Sequence, residues 1–333
     1  MRELEYPFSS KMLLRKKKAL RKALLNNQEK HKSSISLNIA ILGGSTTKDI
    51  ADIIELFLLN EGFHIHIYES EYGKYWEDVV FENEKLDAFK PDIIYICTSI
   101  YNIIEFPAVS DSEAEVSRKL ENNYSHFKEI WDAISAKYKC VVIQNNFEYP
   151  RYRLLGNMDS YDYRGKTHFI SKLNEKINCY ANDNSSFYIC DTNYLSAQYG
   201  LNAWSDPYYW YMYKYSMAVS AIPELAYNVY RIIKAVYGKN KKVIVTDLDN
   251  TLWGGVLAED GPEEIQIGRD TSVGQMYTDI QAYLCEQKEL GVILAINSKN
   301  DERNVTIGLQ KKESVLSAKD FSSIKANCNP KSQ

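Results

Sequence analysis

Two aspartates one residue apart, Asp247 and Asp249, close an apolar run of mostly β-branched residues, Val243, Ile244, Val245 and Thr246. On an extended backbone residues i and i+2 project to the same side, so the pair forms a small acidic cradle at the end of a strand. Such a cradle suits Mg2+ and a phosphoryl group. One carboxylate can attack phosphorus in line while its neighbour handles the proton, and the metal offsets the repulsion between carboxylate and phosphate. The string continues Asn250, Thr251, Leu252, Trp253, Gly254, Gly255. A bare DxD is a weak signal; strand, DxDxT spacing and Trp-Gly-Gly together are a specific one, beyond what a polar turn after a strand requires.

The elements that must position this pair are legible around it. After the strand at 243–246, residues 273–290 read as a helix with Met276, Ile280 and Leu284 along one face, ended by Gly291. A second strand at 292–296 leads into Asn297, Ser298, Lys299, Asn300 and Asp301, at the carboxyl end where open α/β sheets bind ligands. Upstream, strands are expected at 37–42, 64–68, 92–97, 140–144 and 187–190, with helical periodicity at 48–60, 112–137 and 168–180. That alternation is the mark of a parallel sheet covered on both faces. The apolar and aromatic segment 208–237 reads as a helix closing this first domain, and Gly238 to Lys242 as a boundary.

A chain of 333 residues, 45% hydrophobic and 25% charged, has the balance of a soluble two-domain protein. It lacks an apolar run of about 18 residues and a signal-peptide core, so no membrane span and a cytoplasmic location are expected. A net charge of −4 gives no general attraction to nucleic acid. Lys11, Arg15, Lys16, Lys17, Lys18, Arg21 and Lys22 are interleaved with leucines at helical spacing, which predicts an amphipathic helix with a solvated basic face. Docking of that face to an acidic carrier protein or anionic surface is the alternative. Residues 26–34 read as a polar linker. The tyrosine-rich stretch 147–237 lacks dense basic interleaving and is expected to pack rather than to stack nucleotides. Cysteines 97, 140, 179, 190, 285 and 328 show no metal-ligand spacing and read as buried reduced thiols.

The run 246–268, TDLDNTLWGGVLAEDGPEEIQIG, resembles the first motif and flap of the haloacid dehalogenase superfamily, and more narrowly the FkbH-like phosphatases. Those proteins carry an SGNH-hydrolase-like domain ahead of the phosphatase domain. ILGGSTTKD at 41–49 and AWSDPYYW at 203–210 carry a looser likeness to that first domain. The resemblance implies an α/β protein in which an SGNH-like parallel-sheet domain precedes a haloacid-dehalogenase-like Rossmannoid domain. The expected parts are a basic helix and linker at 1–35, the SGNH-like domain at 36–237 and the phosphatase domain at 242–333.

By the same resemblance Asp247 is the nucleophile and Asp249 the acid and then base. Mg2+ is the cofactor, held by the Asp247 carboxylate and the Asp249 backbone carbonyl. Ser298 matches the second motif and Lys331, in Asn-Pro-Lys-Ser, the third. Thr251 and Asn300 are implied to bind substrate. Two departures follow. Many FkbH-like members have a cysteine before the second-motif serine; this chain has Asn297, so no thioester forms there. The fourth-motif strand with its acidic metal ligand does not occur before Gln333, which implies an incomplete domain and impaired activity.

Ser45, after Gly43 and Gly44, stands where an SGNH hydrolase places its nucleophile. The base histidine of DxxH is absent: Asp206 is followed by Pro207, Tyr208 and Tyr209. Residues 46–49 also fit a helix capping box. The expected function is Mg2+-dependent processing of a small phosphorylated metabolite, such as an acyl phosphate whose acyl group passes to an acyl carrier protein. Its rivals are a non-catalytic partner-binding protein with a vestigial phosphatase domain, and an esterase acting through Ser45.

Overall fold

The computed structural model describes residues 1–28, 35–300 and 302–326. Lys331, Cys328, Asp301 and most of the expected linker lie outside the described residues. The chain divides into two compact units, Met1–Gly238 and Lys239–Gln333.

In the first unit β1 (Ser36–Gly43), β2 (His64–Glu69), β3 (Ile93–Cys97), β4 (Val141–Asn145) and β5 (Phe187–Cys190) form a five-stranded sheet in the order β2-β1-β3-β4-β5. Every pairing is parallel. The chain winds one way from β1 to β2 and the other way from β3 onward, so a crevice belongs at the carboxyl ends of β1 and β3. Alternate residues of each strand feed two cores. Ile39, Ile41 and Tyr95 pack with Phe57 and Val229 on one face. Ala40, Ile94 and Ile96 pack with Phe127, Trp131 and Phe169 on the other. The Lys48–Asn60, Ser10–Gln28 and Ile222–Val236 helices cover the first face; Glu113–Lys137 and Lys166–Asp183 cover the second.

The basic N-terminal helix departs from its expected solvated face. Leu13, Leu20 and Leu24 are buried, and the helix lies against Lys48–Asn60. That neighbour presents Asp49, Asp52 and Glu55 at helical spacing. Lys17 bridges Asp49 and Asp52, and Arg21 makes a bidentate pair with Glu55 at 2.7 and 2.8 Å. Charge complementarity thus docks part of a face that hydropathy alone assigned to water.

The single helix expected at 208–237 is broken. Pro207–Tyr213 ends at Lys214, whose φ of 57° is left-handed, and a 3-10 turn at Val219–Ala221 precedes Ile222–Val236. The tyrosines of this region pack only in part: Tyr152, Tyr161, Tyr194, Tyr208 and Tyr211 are exposed. Of the described cysteines, all free, Cys97 and Cys190 are buried, Cys140 and Cys285 partly so, and Cys179 is exposed.

In the second unit β6 (Val243–Thr246), β7 (Ile293–Ser298) and β8 (Ser323–Ala326) form a parallel sheet in that order. Leu248, Leu252, Trp253, Leu294 and Ile296 build its core. The Ser272–Glu289 helix buries Gly274, Thr278, Gln281 and Leu284, while Met276 and Ile280 of the expected apolar face are 61% and 41% exposed. Hydrogen bonding rotates the helix away from its hydropathy. Gln281 Nε2 donates to the Leu252 carbonyl at 2.9 Å, and its Oε1 accepts from the Val315 and Leu316 amides. Buried backbone groups must find partners, and one glutamine satisfies three. Among the described residues no helix is long and apolar enough to cross a membrane.

Candidate active site

Asp247 follows β6 directly, and the register of β6 on β7 pairs Thr246 with Ile296, which sets Ser298 on the adjacent carboxyl end. Asp247 Oδ1 accepts from the Leu248 amide at 2.9 Å. Two residues on, both oxygens of the Asp249 carboxylate are held. Oδ1 accepts from Trp253 Nε1 at 3.0 Å and the Leu257 amide at 3.1 Å, and Oδ2 accepts from Asn300 Nδ2 at 2.7 Å.

The local chain path explains this grip. Asn250 takes a left-handed φ of 52°, and its side chain and amide close a turn onto Gly255 at 3.0 and 3.3 Å. Gly254 then pairs with Gln266, and a Cβ at Gly254 would meet the Tyr277 ring at 2.8 Å. The Trp-Gly-Gly string is therefore a close-packed hairpin entry. Trp253, fully buried, is seated against Gly308, where a Cβ would come within 2.5 Å of the indole. The motif includes Trp253 without showing its task; the position of Trp253 four residues after Asp249 is the available signal.

The other expected site residues distribute as follows. Ser298 is buried, and its hydroxyl accepts from the Asn300 amide at 3.3 Å. Asn300, expected to bind substrate, spends its amide on Asp249. Thr251 reaches back to the Asp249 carbonyl at 3.4 Å.

Among the described residues no group of three or more His, Cys, Asp or Glu side chains gathers to hold a metal. The donors suit Mg2+ nonetheless. The Asp247 carboxylate and the Asp249 carbonyl are hard oxygens, and Mg2+ binds through one or two protein oxygens with waters and substrate phosphate completing its shell. The Asp249 carboxylate, with three N–H donors on it, is directed elsewhere.

At the equivalent place in the first unit Ser45 is buried, and its hydroxyl pairs with Ser216 Oγ at 3.1 Å. Gly44 admits no side chain, because a Cβ would fall 2.3 Å from the Asn102 amide, which donates to the Gly44 carbonyl at 3.1 Å. Asp206 caps the Pro207–Tyr213 helix by accepting from the Tyr208 amide at 3.0 Å. It thus does local structural work in place of orienting a histidine. The expected capping box at 46–49 does not form: Thr47 is the N-cap without a side-chain cap, and Asp49 is taken by Lys17 and the Tyr215 hydroxyl. Glu148, near the end of β4, is buried, and that burial pushes its carboxyl up to about 7, against opposing hydrogen bonds from its own and the Ile100 amides.

Residues 38–234 match the FkbH N-terminal domain. The chain belongs to the FkbH family. Its fold accords with that of a solved structure, the N-terminal part of protein BF1531 from Bacteroides fragilis, containing a phosphatase domain and complexed with Mg. The two are 25% identical, and the match covers 95% of this chain and 82% of that one with a TM-score of 0.84. A fainter likeness joins this FkbH protein to the catalytic domain of peptidoglycan O-acetyltransferase A from Streptococcus pneumoniae: 14% identity over 62% of this chain and 95% of that one, TM-score 0.34. The acetyl xylan esterase AlAXEase is 8% identical over 59% of this chain and 100% of its own, TM-score 0.35. No curated protein matches the chain. Family and fold together support a phosphatase-like function.

Proposed function

We propose that the second unit is a Mg2+-dependent phosphohydrolase or phosphotransferase site acting on a small phosphorylated metabolite, with Asp247 as nucleophile and Asp249 as acid and base. The carrying observation is the grip on the Asp249 carboxylate by Trp253, Leu257 and Asn300, two residues beyond Asp247. General acid-base groups act from a fixed geometry, and three donors fix this one.

In the first half-reaction an Asp247 oxygen bonds to phosphorus as the bond to the leaving oxygen breaks, and Asp249 gives that oxygen its proton. In the second, water attacks phosphorus and passes a proton to Asp249. The acyl-phosphate bond breaks, phosphate leaves and Asp247 is regenerated. When Asp249 carries its proton on Oδ2, that oxygen keeps acceptor capacity for the Asn300 amide, which makes Asn300 a positioning residue. Mg2+ at Asp247 and the Asp249 carbonyl supplies charge neutralisation of the phosphoryl group. Ser298 is assigned to a phosphoryl oxygen, and Lys331 to the same charge. FkbH membership supports a substrate drawn from carrier-protein-linked biosynthesis, with an acyl carrier protein as partner.

The test is phosphate release from small acyl and sugar phosphates, with Mg2+ and with chelator. Turnover that appears only with Mg2+ is expected. Release that ignores chelation, or none from a folded protein across such a panel, would sink the reading.

A further inference from the structure

His64 and His66 stand two residues apart on β2, the edge strand of the five-stranded sheet, and so project from the same face. Both are exposed, and their ring centres lie 4.8 Å apart. Ile65 and Ile67, which alternate with them, pack against the first core, and that fixes which way the histidines turn. The backbone beneath the pair is held as well. His64 donates its amide to the Ile35 carbonyl at 2.8 Å. His66 lies opposite Asn38, whose side chain donates to the Phe89 and Lys90 carbonyls at 3.0 and 3.3 Å and whose amide donates to Asp92 at 2.8 Å.

The ring nitrogens of this pair are unspent, which separates it from the other described histidines. His126 bonds the Tyr75 hydroxyl at 3.1 Å and His168 the Ser160 carbonyl at 3.3 Å. Among the described residues the rings of His64 and His66 have no hydrogen-bond partner. A neutral imidazole offers one nitrogen lone pair to a metal. Two of them on one fixed strand act as a chelate, because the second binds intramolecularly once the first has bound. Metal–nitrogen bonds of about 2.0–2.1 Å to a tetrahedral Zn2+ place two ring centres roughly 5 Å apart, close to the separation this pair already has. Imidazole suits Zn2+, Ni2+ and Cu2+, whereas Mg2+ prefers oxygen.

We propose that His64 and His66 chelate one divalent ion of the imidazole-binding class, Zn2+, Ni2+ or Cu2+, through one nitrogen of each ring, with water completing its shell. Among the described residues no third His, Cys, Asp or Glu joins them, so this is an open, two-ligand site whose remaining positions exchange freely. It belongs to the first unit and prefers the opposite kind of ion from the aspartate pair, nitrogen-seeking rather than oxygen-seeking. It does not depend on the phosphoryl chemistry proposed there.

Calorimetric titration of the full chain with Ni2+, on protein free of any polyhistidine tag, tests it. A saturable phase of about one ion per chain is expected, little moved by millimolar Mg2+. Either H64A or H66A should weaken it by about tenfold or more, since a chelate becomes a single ligand, and melting temperatures check that both variants fold. H168A, at a histidine whose ring is already bonded, and D247N should leave it unchanged. No saturable binding below millimolar Ni2+, unchanged affinity in the folded H64A and H66A variants, or an equal loss in H168A overturns the proposal. A loss in D247N in their place would put the ion at the aspartates and overturn it too.

Discussion

Ser45 and Asp247 occupy the same topological station, the first turn after the first strand of a parallel sheet, yet their surroundings differ in what chemistry needs. Ser45 faces another hydroxyl, Ser216, which has no useful basicity. Two residues past Asp247, the Asp249 carboxylate is held at both oxygens by N–H groups from the flap and from the end of β7. Station alone does not make a catalytic site. On the proposed reading, what distinguishes the two is a proton-transferring group fixed near the first; in the first unit Asp206 caps a helix, and position 209 holds a tyrosine.

The largest expected effect breaks the half of that contrast proposed to carry phosphoryl chemistry. Asp247→Asn is nearly isosteric and should lower Mg2+-dependent phosphate release by about a hundredfold or more, the scale for losing a covalent nucleophile, with the melting temperature unchanged. Wild-type turnover in this variant would falsify the assignment of Asp247.

The first unit holds an ionisable group of its own. Glu148 has its carboxyl raised by burial from 4.5 to about 7. A raised acid binds its proton more tightly in the folded unit than in the unfolded chain, so stability is highest at acidic pH and falls as pH rises between those two values. The fall is up to about 3 kcal/mol and levels off above pH 7. Glu148→Gln should flatten that slope and be the more stable form in mild alkali. Parallel pH–stability curves for wild type and variant, followed by circular dichroism of the first unit, would count against a buried, protonatable Glu148.

Much of this architecture was legible because parallel sheets buried on both faces write themselves as apolar runs. β3 is buried at all five positions, Ile93 to Cys97, and β5 falls where the sequence put it. The 48–60 helix likewise matches its periodicity. What hydropathy missed were segments governed by polar partners. Lys17 and Arg21 read as solvated until the acids of the facing helix were placed opposite them. Met276 and Ile280 read as core, but Gln281 turned the helix to reach the Leu252 carbonyl. The strand at Ser323–Ala326 is too short and too polar to announce itself. In the site, the carboxylates are visible from spacing and Trp253 lies only four residues past Asp249, whereas the task of Asn300 toward Asp249 depends on a long-range approach that no local pattern encodes.

Trp253→Phe sharpens the comparison by loosening Asp249 without removing it. The phenyl ring stays in the slot against Gly308 but offers no N–H to Oδ1. A hydrogen bond to an ionised group contributes roughly 1.5–3 kcal/mol, and only part of that loss falls on the transition state. We predict a drop of about tenfold in kcat with KM nearly unchanged. A fall in melting temperature with kcat preserved would reassign Trp253 to packing alone.

The smallest effect belongs to Ser45. If the first unit does no hydrolysis, Ser45→Ala should leave release of short acyl nitrophenyl esters at the uncatalysed background. It should also leave phosphate release by the second unit untouched. Its cost is structural: the Ser216 hydroxyl, itself buried, loses the partner it holds at 3.1 Å, and an unsatisfied buried hydroxyl costs about 1–3 kcal/mol. Ser45→Ala combined with Ser216→Ala removes both polar groups and should recover part of that loss, because no orphan remains. The pair therefore separates two readings of one residue. A double variant more stable than Ser45→Ala, with ester release at background throughout, marks Ser45 as half of a structural hydroxyl pair. A wild-type burst of nitrophenol that disappears in Ser45→Ala alone marks it as a nucleophile, and the contrast between the two stations collapses.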